Sequence, residues 1–270
     1  MTANDTLFAG SIPSRYDRYL GPLLFQPYAD EVAERARALA PRDILETAAG
    51  TGIVTEALHR LLPDASIVAT DLNSAMLDVA RQRTPAANVR FGPADAQALP
   101  FDDESFDFVV CQLGVMFFPN KPKANSEVRR VLRAGGTYLA IIWDTLESNP
   151  VSRAIHEAVV QEFPGDPPRF LARGPFGYAD KSVIEADMRA GGFTKIAFET
   201  VGKLSLVHAE EAALGMCCGS PLNAEIMERD PSSIDRVVAS AERAVTRFDG
   251  AEAPMSALFV TATKFVTASI

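Results

Sequence analysis

The chain has 270 residues, enough for one elaborated domain, or one domain with a modest appendage, to bury a full core. Hydrophobic residues at 47% and charged residues at 23% exclude long disorder as a default. With 26 basic and 35 acidic residues the formal charge is -9, a field that repels phosphates, and no Lys/Arg run offsets it; no nucleic-acid partner is expected.

Residues 1–40 read as an N-terminal helical cap ahead of a main domain over 41–270. Within the cap, 14–20 (SRYDRYL) is rich in polar aromatics and 25–40 has helical character. Such a piece can lie over a ligand crevice or simply pack. Asp43–Thr47 (DILET) is a short strand-compatible run. Gly50 to Gly52 then leads into a helix in which Ile53, Ala57, Leu58 and Leu61 keep helical spacing. Ser66–Asp71 (SIVATD) is a second strand, followed by a helix that Asn73 or Ser74 can cap, with Met76, Leu77 and Ala80 turned inward. A third strand falls at 88–91 and a fourth at Phe106–Gln112. Pro122 opens a helix carrying Ala124, Val128, Val131 and Leu132, which Gly135-Gly136 is expected to end; 137–143 (TYLAIIW) is a fifth strand. Apolar strands alternating with helices mean a parallel, doubly wound sheet covered on both faces.

After Asp144 the pattern changes. Prolines at 164, 167 and 168 predict a loop over 163–178, and Asp180 can cap a helix through Arg189. A strand is expected at 193–201. Pro231 opens a helix with an apolar stripe of Ile234, Val238, Ala241, Val245 and Phe248, and 257–263 forms a last strand. Cys111, Cys217 and Cys218 have no C-x-x-C spacing, and packing is their plain role. Residues 1–10 carry no basic flank before an apolar stretch, and the longest apolar run, 106–118, is too short to span a bilayer; a cytoplasmic location is expected, with no membrane partner.

The most informative segment is ILETAAGTG, residues 44–52. A glycine turn between strand and helix lets backbone pass close to a ligand, and the helix start offers unpaired N–H donors. Dinucleotide folds use the same device, but their G-x-G-x-x-G pattern would place a glycine at 55, where Thr55 stands. Glu46, at the strand end, could hold an ammonium-bearing ligand. Asp71 ends the second strand, where a carboxylate can accept from two vicinal ribose hydroxyls; a capping or turn role is the plainer alternative. Asp95 can accept from an adenine amino group while Ala96 supplies a backbone N–H.

In this order, ILETAAGTG, VATDLN, PADAQALPFDDESFDFVVCQLGVMFF and EVRRVLRAGGTYLAIIWD resemble the successive motifs of class I S-adenosylmethionine-dependent methyltransferases, nearest to the type 11, ubiquinone/menaquinone-biosynthesis-like branch. The resemblance covers about residues 41 to 144 closely and is looser at AGGFTKIAFETV and ALFVTAT. It implies a Rossmann-like, mostly parallel seven-stranded sheet with N-terminal and C-terminal helical additions. It also implies S-adenosylmethionine as cofactor and S-adenosylhomocysteine as product. Thr47, Ala48, Gly50 and Gly52, with Glu46 and Thr51 beside them, would wrap the methionyl part. Asp71 would hold the ribose, Leu72 and Met76 would pack near the adenine, Asp95 and Ala96 would read its edge, and Gln112 would border the methyl donor. Tyr16 and Tyr19 resemble tyrosines that close over the cofactor. The family commonly has glycine in place of Ala48, whose methyl costs little where φ is negative.

A sulfonium methyl is already activated, so alignment and exclusion of water suffice, and no nucleophile triad is needed. His59, His156 and His208 are scattered; His156 is a candidate base against the default of a surface or packing histidine, and no metal site is expected. Val115, Met116, Phe117, Trp143 and Phe176 could line an apolar acceptor pocket, although aromatic residues there are more often core. Lid insertions are expected at 145–190 and 205–250. The expected activity is methyl transfer to a small, partly apolar acceptor by a monomer or homodimer. The alternatives are a nicotinamide-dependent oxidoreductase, disfavoured by Thr55 and by the lack of a Tyr-x-x-x-Lys pair, and a non-catalytic adenosyl-ligand-binding protein.

Overall fold

Runs whose apolar side chains face both ways become the inner strands of the computed structural model, which describes residues 12–265. The order is α1 (Ile12–Arg15), a π-helical stretch (Tyr16–Phe25), α2 (Gln26–Leu39), β1 (Asp43–Thr47), α3 (Ile53–Leu61), β2 (Ser66–Asp71), α4 (Ser74–Arg83), β3 (Val89–Pro93) and β4 (Phe106–Gln112). Then come α5 (Lys121–Val131), β5 (Leu132–Trp143), α6 (Pro150–Glu162), α7 (Phe170–Arg173), α8 (Lys181–Ala190), β6 (Lys195–Leu206), α9 (Ala209–Cys218), α10 (Leu222–Arg229), α11 (Ile234–Val245) and β7 (Glu252–Thr263).

The seven strands lie in the order β3-β2-β1-β4-β5-β7-β6, and β3, β2, β1, β4 and β5 pair in parallel. Gly135 N–H donates to the Lys264 carbonyl at 2.7 Å, and Asp144 N–H to that of Ser256 at 3.2 Å, so β7 runs against β5. The expected doubly wound, mostly parallel sheet is therefore present, with its last strand reversed. Strand order turns around between β1 and β4, which opens a crevice at the strands' carboxyl ends.

The structure corrects several local expectations. Helix α5 stops at Val131, not at Gly135-Gly136. Phe106 faces Leu132 while Phe108 faces Thr137, so residues 133–136 form a bulge inside β5, with Gly135 at φ +81°. The expected loop at 163–178 contains α7, because Glu225 accepts the N–H groups of Arg169 (2.7 Å) and Phe170 (3.2 Å) and pairs with Arg173 (2.7 Å). The buried stripe of α11 is Val237, Ala241 and Val245, leaving Val238 half-buried. Strands β6 and β7 also extend beyond the expected 193–201 and 257–263, whereas Asn73 caps α4 and Asp180 caps α8 through their side chains, as expected.

By compactness the chain divides into two units. One comprises Ala29–Ile142, Tyr178–Val201 and the described part of Ala257–Ile270; it carries ILETAAGTG, VATDLN and PADAQALPFDDESFDFVVCQLGVMFF in full. Its helix α4 packs on β2 and β3, and α5 packs on α8. The other comprises the described part of Met1–Tyr28, Trp143–Gly177 and Gly202–Ser256. There α11 packs on α6 and α9, and α9 packs on the π-helical stretch.

Candidate cofactor site

The end of β1 delivers Glu46 into the interior, 2% exposed, with the Thr55 hydroxyl donating to its carboxylate at 2.5 Å. Burial, reinforced by the charge of Asp71, pushes the carboxyl up to about 8. Thr55 was useful in the sequence only as a missing glycine; here it is the partner of Glu46. Thr47 is buried, its hydroxyl 3.5 Å from the Val110 carbonyl.

The loop after β1 is left-handed three times: Ala48 at φ +53°, Gly50 at +55° and Gly52 at +79°. The condition for an inexpensive methyl at 48 is therefore not met. The Ala48 side chain instead finds room against Gly114, where an added Cβ would lie 2.5 Å from the Ala48 Cβ and 3.0 Å from Cys111 Sγ. Gly52 is needed for a second reason, since a Cβ there would lie 2.8 Å from Ala80 Cβ on α4.

Asp71 ends β2 with each carboxylate oxygen fixed by backbone. Gly50 N–H donates to Oδ2 at 2.9 Å and Asn73 N–H to Oδ1 at 2.8 Å. Burial raises its pKa against these bonds. The next residue, Leu72, is a large apolar side chain left 67% exposed, while Met76 is buried. After β3, Asp95 Oδ1 accepts the backbone N–H of Gln97 (2.8 Å) and its side-chain amide (3.1 Å), and Ala96 is buried. Gln97 passes the connection on, its Oε1 accepting the Asn120 N–H at 3.0 Å. Gln97 and Gly114 carry no motif signal of their own; only the fold shows their use.

Gln112 is half-buried at the end of β4, and Val115 and Met116 just beyond it are buried, with Phe117 more accessible. The remaining assignments fall in the other unit. Tyr16 stacks on Phe25 with ring centroids 4.8 Å apart, and Arg18 lies over Tyr19. Trp143 is buried with its ring against Tyr28 (5.7 Å) and Phe176 (5.6 Å), and His156 on α6 has its pKa lowered chiefly by burial. Among the described residues, no helix is long and apolar enough to cross a membrane.

Comparison with known proteins identifies the family and the fold. A methyltransferase domain family matches residues 45–140. The ubiquinone/menaquinone biosynthesis C-methyltransferase UbiE of Stutzerimonas stutzeri (strain A1501) is 30% identical over 172 residues, covering 58% of this chain and 67% of that protein. The demethylmenaquinone methyltransferase of Deinococcus radiodurans is 37% identical over 131 residues, 47% of this chain and 54% of that one. Among solved structures, phosphoethanolamine N-methyltransferase 2 of Haemonchus contortus, in complex with S-adenosyl-L-methionine, shares the fold at a TM-score of 0.64 and 16% identity, over 98% of this chain and 61% of that one. The chain belongs to the class I S-adenosylmethionine-dependent methyltransferases, in the type 11 branch. It is an enzyme, and its cofactor is S-adenosylmethionine.

Proposed function

We propose that this enzyme methylates a small, partly apolar molecule, with the cofactor lying across the carboxyl ends of β1, β2 and β4 and the loop after β3. The observation that carries this reading is the pair Asp71 and Leu72. The carboxylate is held in place by Gly50 and Asn73 yet keeps lone pairs for two sugar hydroxyls, and beside it an apolar side chain is left open for a base. Thr51 Oγ1, on the glycine loop, is buried without a hydrogen-bond partner, as suits a loop that receives a polar ligand group. Glu46 regains its charge once an ammonium group stands nearby. Asp95 and Ala96 take the adenine edge.

S-adenosylmethionine, when bound, supplies a methyl group already activated for attack. The chain's own work is to orient the acceptor in line, with Gln112 at the methyl and Val115, Met116 and Phe117 on the apolar side, and to exclude water. Tyr16 and Tyr19 are proposed to close over the cofactor, Trp143 and Phe176 to border the acceptor, and His156 to serve any proton transfer. The cap over 1–40 and the insertions at 145–190 and 205–250 select the acceptor. The names of the relatives make the ring carbon of a quinone precursor the first acceptor to test. A cytoplasmic monomer or homodimer without a nucleic-acid partner completes the proposal.

Titration calorimetry with S-adenosylhomocysteine tests it. Binding is expected, and Asp71→Ala should weaken it by about 1–3 kcal/mol, the scale of losing charged hydrogen bonds. No binding at millimolar ligand, or unchanged affinity in a folded Asp71→Ala variant, overturns the reading.

A further inference from the structure

The segment after β3 carries Asp95 and Ala96, yet from Asp95 to Asp103 it belongs to no strand. Two side chains one turn apart on α5 set its course. Glu127 Oε2 accepts the Leu99 N–H at 3.0 Å, and Arg130 Nη2 donates to the Leu99 carbonyl at 2.9 Å, so both polar backbone groups of this buried residue are taken by one helix. Arg130 Nη1 reaches the Phe101 carbonyl at 2.7 Å and the Asp103 carboxylate at 2.8 Å. The guanidinium closes on Glu127 at 2.8 Å. Arg130, aided by Lys123 and opposed by burial, holds the Glu127 carboxyl down at about 2, so the pair stays ionised. Upstream, Gln97 ties Asp95 to Asn120, the N-cap of the same helix. Helix α5 therefore grips the segment at two points, on either side of Ala98.

We infer that Glu127 and Arg130 are positioning residues for cofactor recognition. They fix the backbone at 99–103 so that Asp95 and Ala96 meet the amino-bearing edge of adenine, and they thereby set how strongly the enzyme prefers a 6-amino purine. Neither residue touches the ligand in this scheme. A lysine at 130 keeps the charge but not the planar fork that serves two carbonyls and a carboxylate together. The inference rests on reading Asp95 and Ala96 as the adenine contact, and the experiment separates the two.

Dissociation constants are measured by calorimetry for S-adenosylhomocysteine and for its inosine analogue, which carries a carbonyl in place of the 6-amino group. The wild-type enzyme should prefer the adenine form by about 10- to 100-fold, the range of one charge-assisted hydrogen bond. Asp95→Ala should reduce that ratio to about twofold or less. Arg130→Gln should cut it by about fivefold or more while leaving affinity for the inosine analogue near the wild-type value, with Arg130→Lys in between. A merely structural role lowers the thermal midpoint and weakens both ligands together, leaving the ratio unchanged; that result overturns the inference. Should Arg130→Gln not fold, Arg130→Lys and Glu127→Gln carry the same measurement. If Asp95→Ala leaves the ratio intact, the adenine assignment fails. If it collapses the ratio while the Arg130 and Glu127 variants do not, only the positioning role fails.

Discussion

Exchanging the two small residues at positions 48 and 114 offers a test of how the glycine loop is seated. Gly114 sits at φ −112°, a value any residue adopts, so Gly114→Ala strains no backbone and loses stability only through contact. Its new Cβ would lie 2.5 Å from Ala48 Cβ and 3.0 Å from Cys111 Sγ, and such overpacking costs about 1–3 kcal/mol. Ala48→Gly relieves a left-handed alanine, worth about 1–2 kcal/mol, but gives back about 0.5–1 kcal/mol in unfolded-chain entropy and part of a methyl's burial, so alone it should be nearly neutral. With the Ala48 methyl gone, the double variant keeps only the 3.0 Å contact with sulfur. It should recover about 1–2 kcal/mol of the Gly114→Ala loss, the coupling expected of residues in direct contact. Urea denaturation of the four proteins measures that coupling. Additivity to within about 0.5 kcal/mol would show that the two residues do not share a space, and the account of the loop's seating would be wrong.

Two further outcomes follow from the same site. Glu46 has its carboxyl raised to about 8 by burial, so the folded enzyme keeps a proton that the unfolded chain releases above about 4.5. Its presence therefore lowers stability progressively as pH rises from about 4.5 to about 8. Glu46→Gln should be more stable than the wild type by about 3 kcal/mol near neutrality and show no such advantage at pH 4, read from denaturation midpoints across pH; an offset independent of pH refutes the assignment. Gly52→Ala combines a φ of +79° with a 2.8 Å approach to Ala80, and should cost about 2–4 kcal/mol, a fall in thermal midpoint that a wild-type-like melt would contradict.

The parts of the fold that were legible in the sequence are those decided locally. DILET and SIVATD become β1 and β2 with the expected bounds, because apolar runs flanked by turn residues admit little else. Asn73 and Asp180 cap their helices as expected, since the capping chemistry lies within three residues of the helix start. What was misread depends on distant partners. Gly135-Gly136 resembles a helix stop, but Lys264, far along the chain, draws that segment into the sheet. Helix α7 exists in a proline-rich stretch because Glu225 accepts the N–H groups at its start. The acidic residues at the strand ends could be named from spacing, whereas Gln97, Arg130 and Glu127 became visible only as hydrogen-bond partners. The sign of φ at Ala48 could not be read from its identity, because alanine carries no mark of a left-handed turn.

The bond from Gly50 to Asp71 is made by main chain on one side and side chain on the other. The first loop is thus obliged to present an amide in a particular direction, whatever the chemistry of the side chain above it. Position 50 is constrained by the path of the backbone, position 71 by its charge. A rearrangement of the loop would therefore disturb the Asp71 carboxylate with no change made to β2 itself.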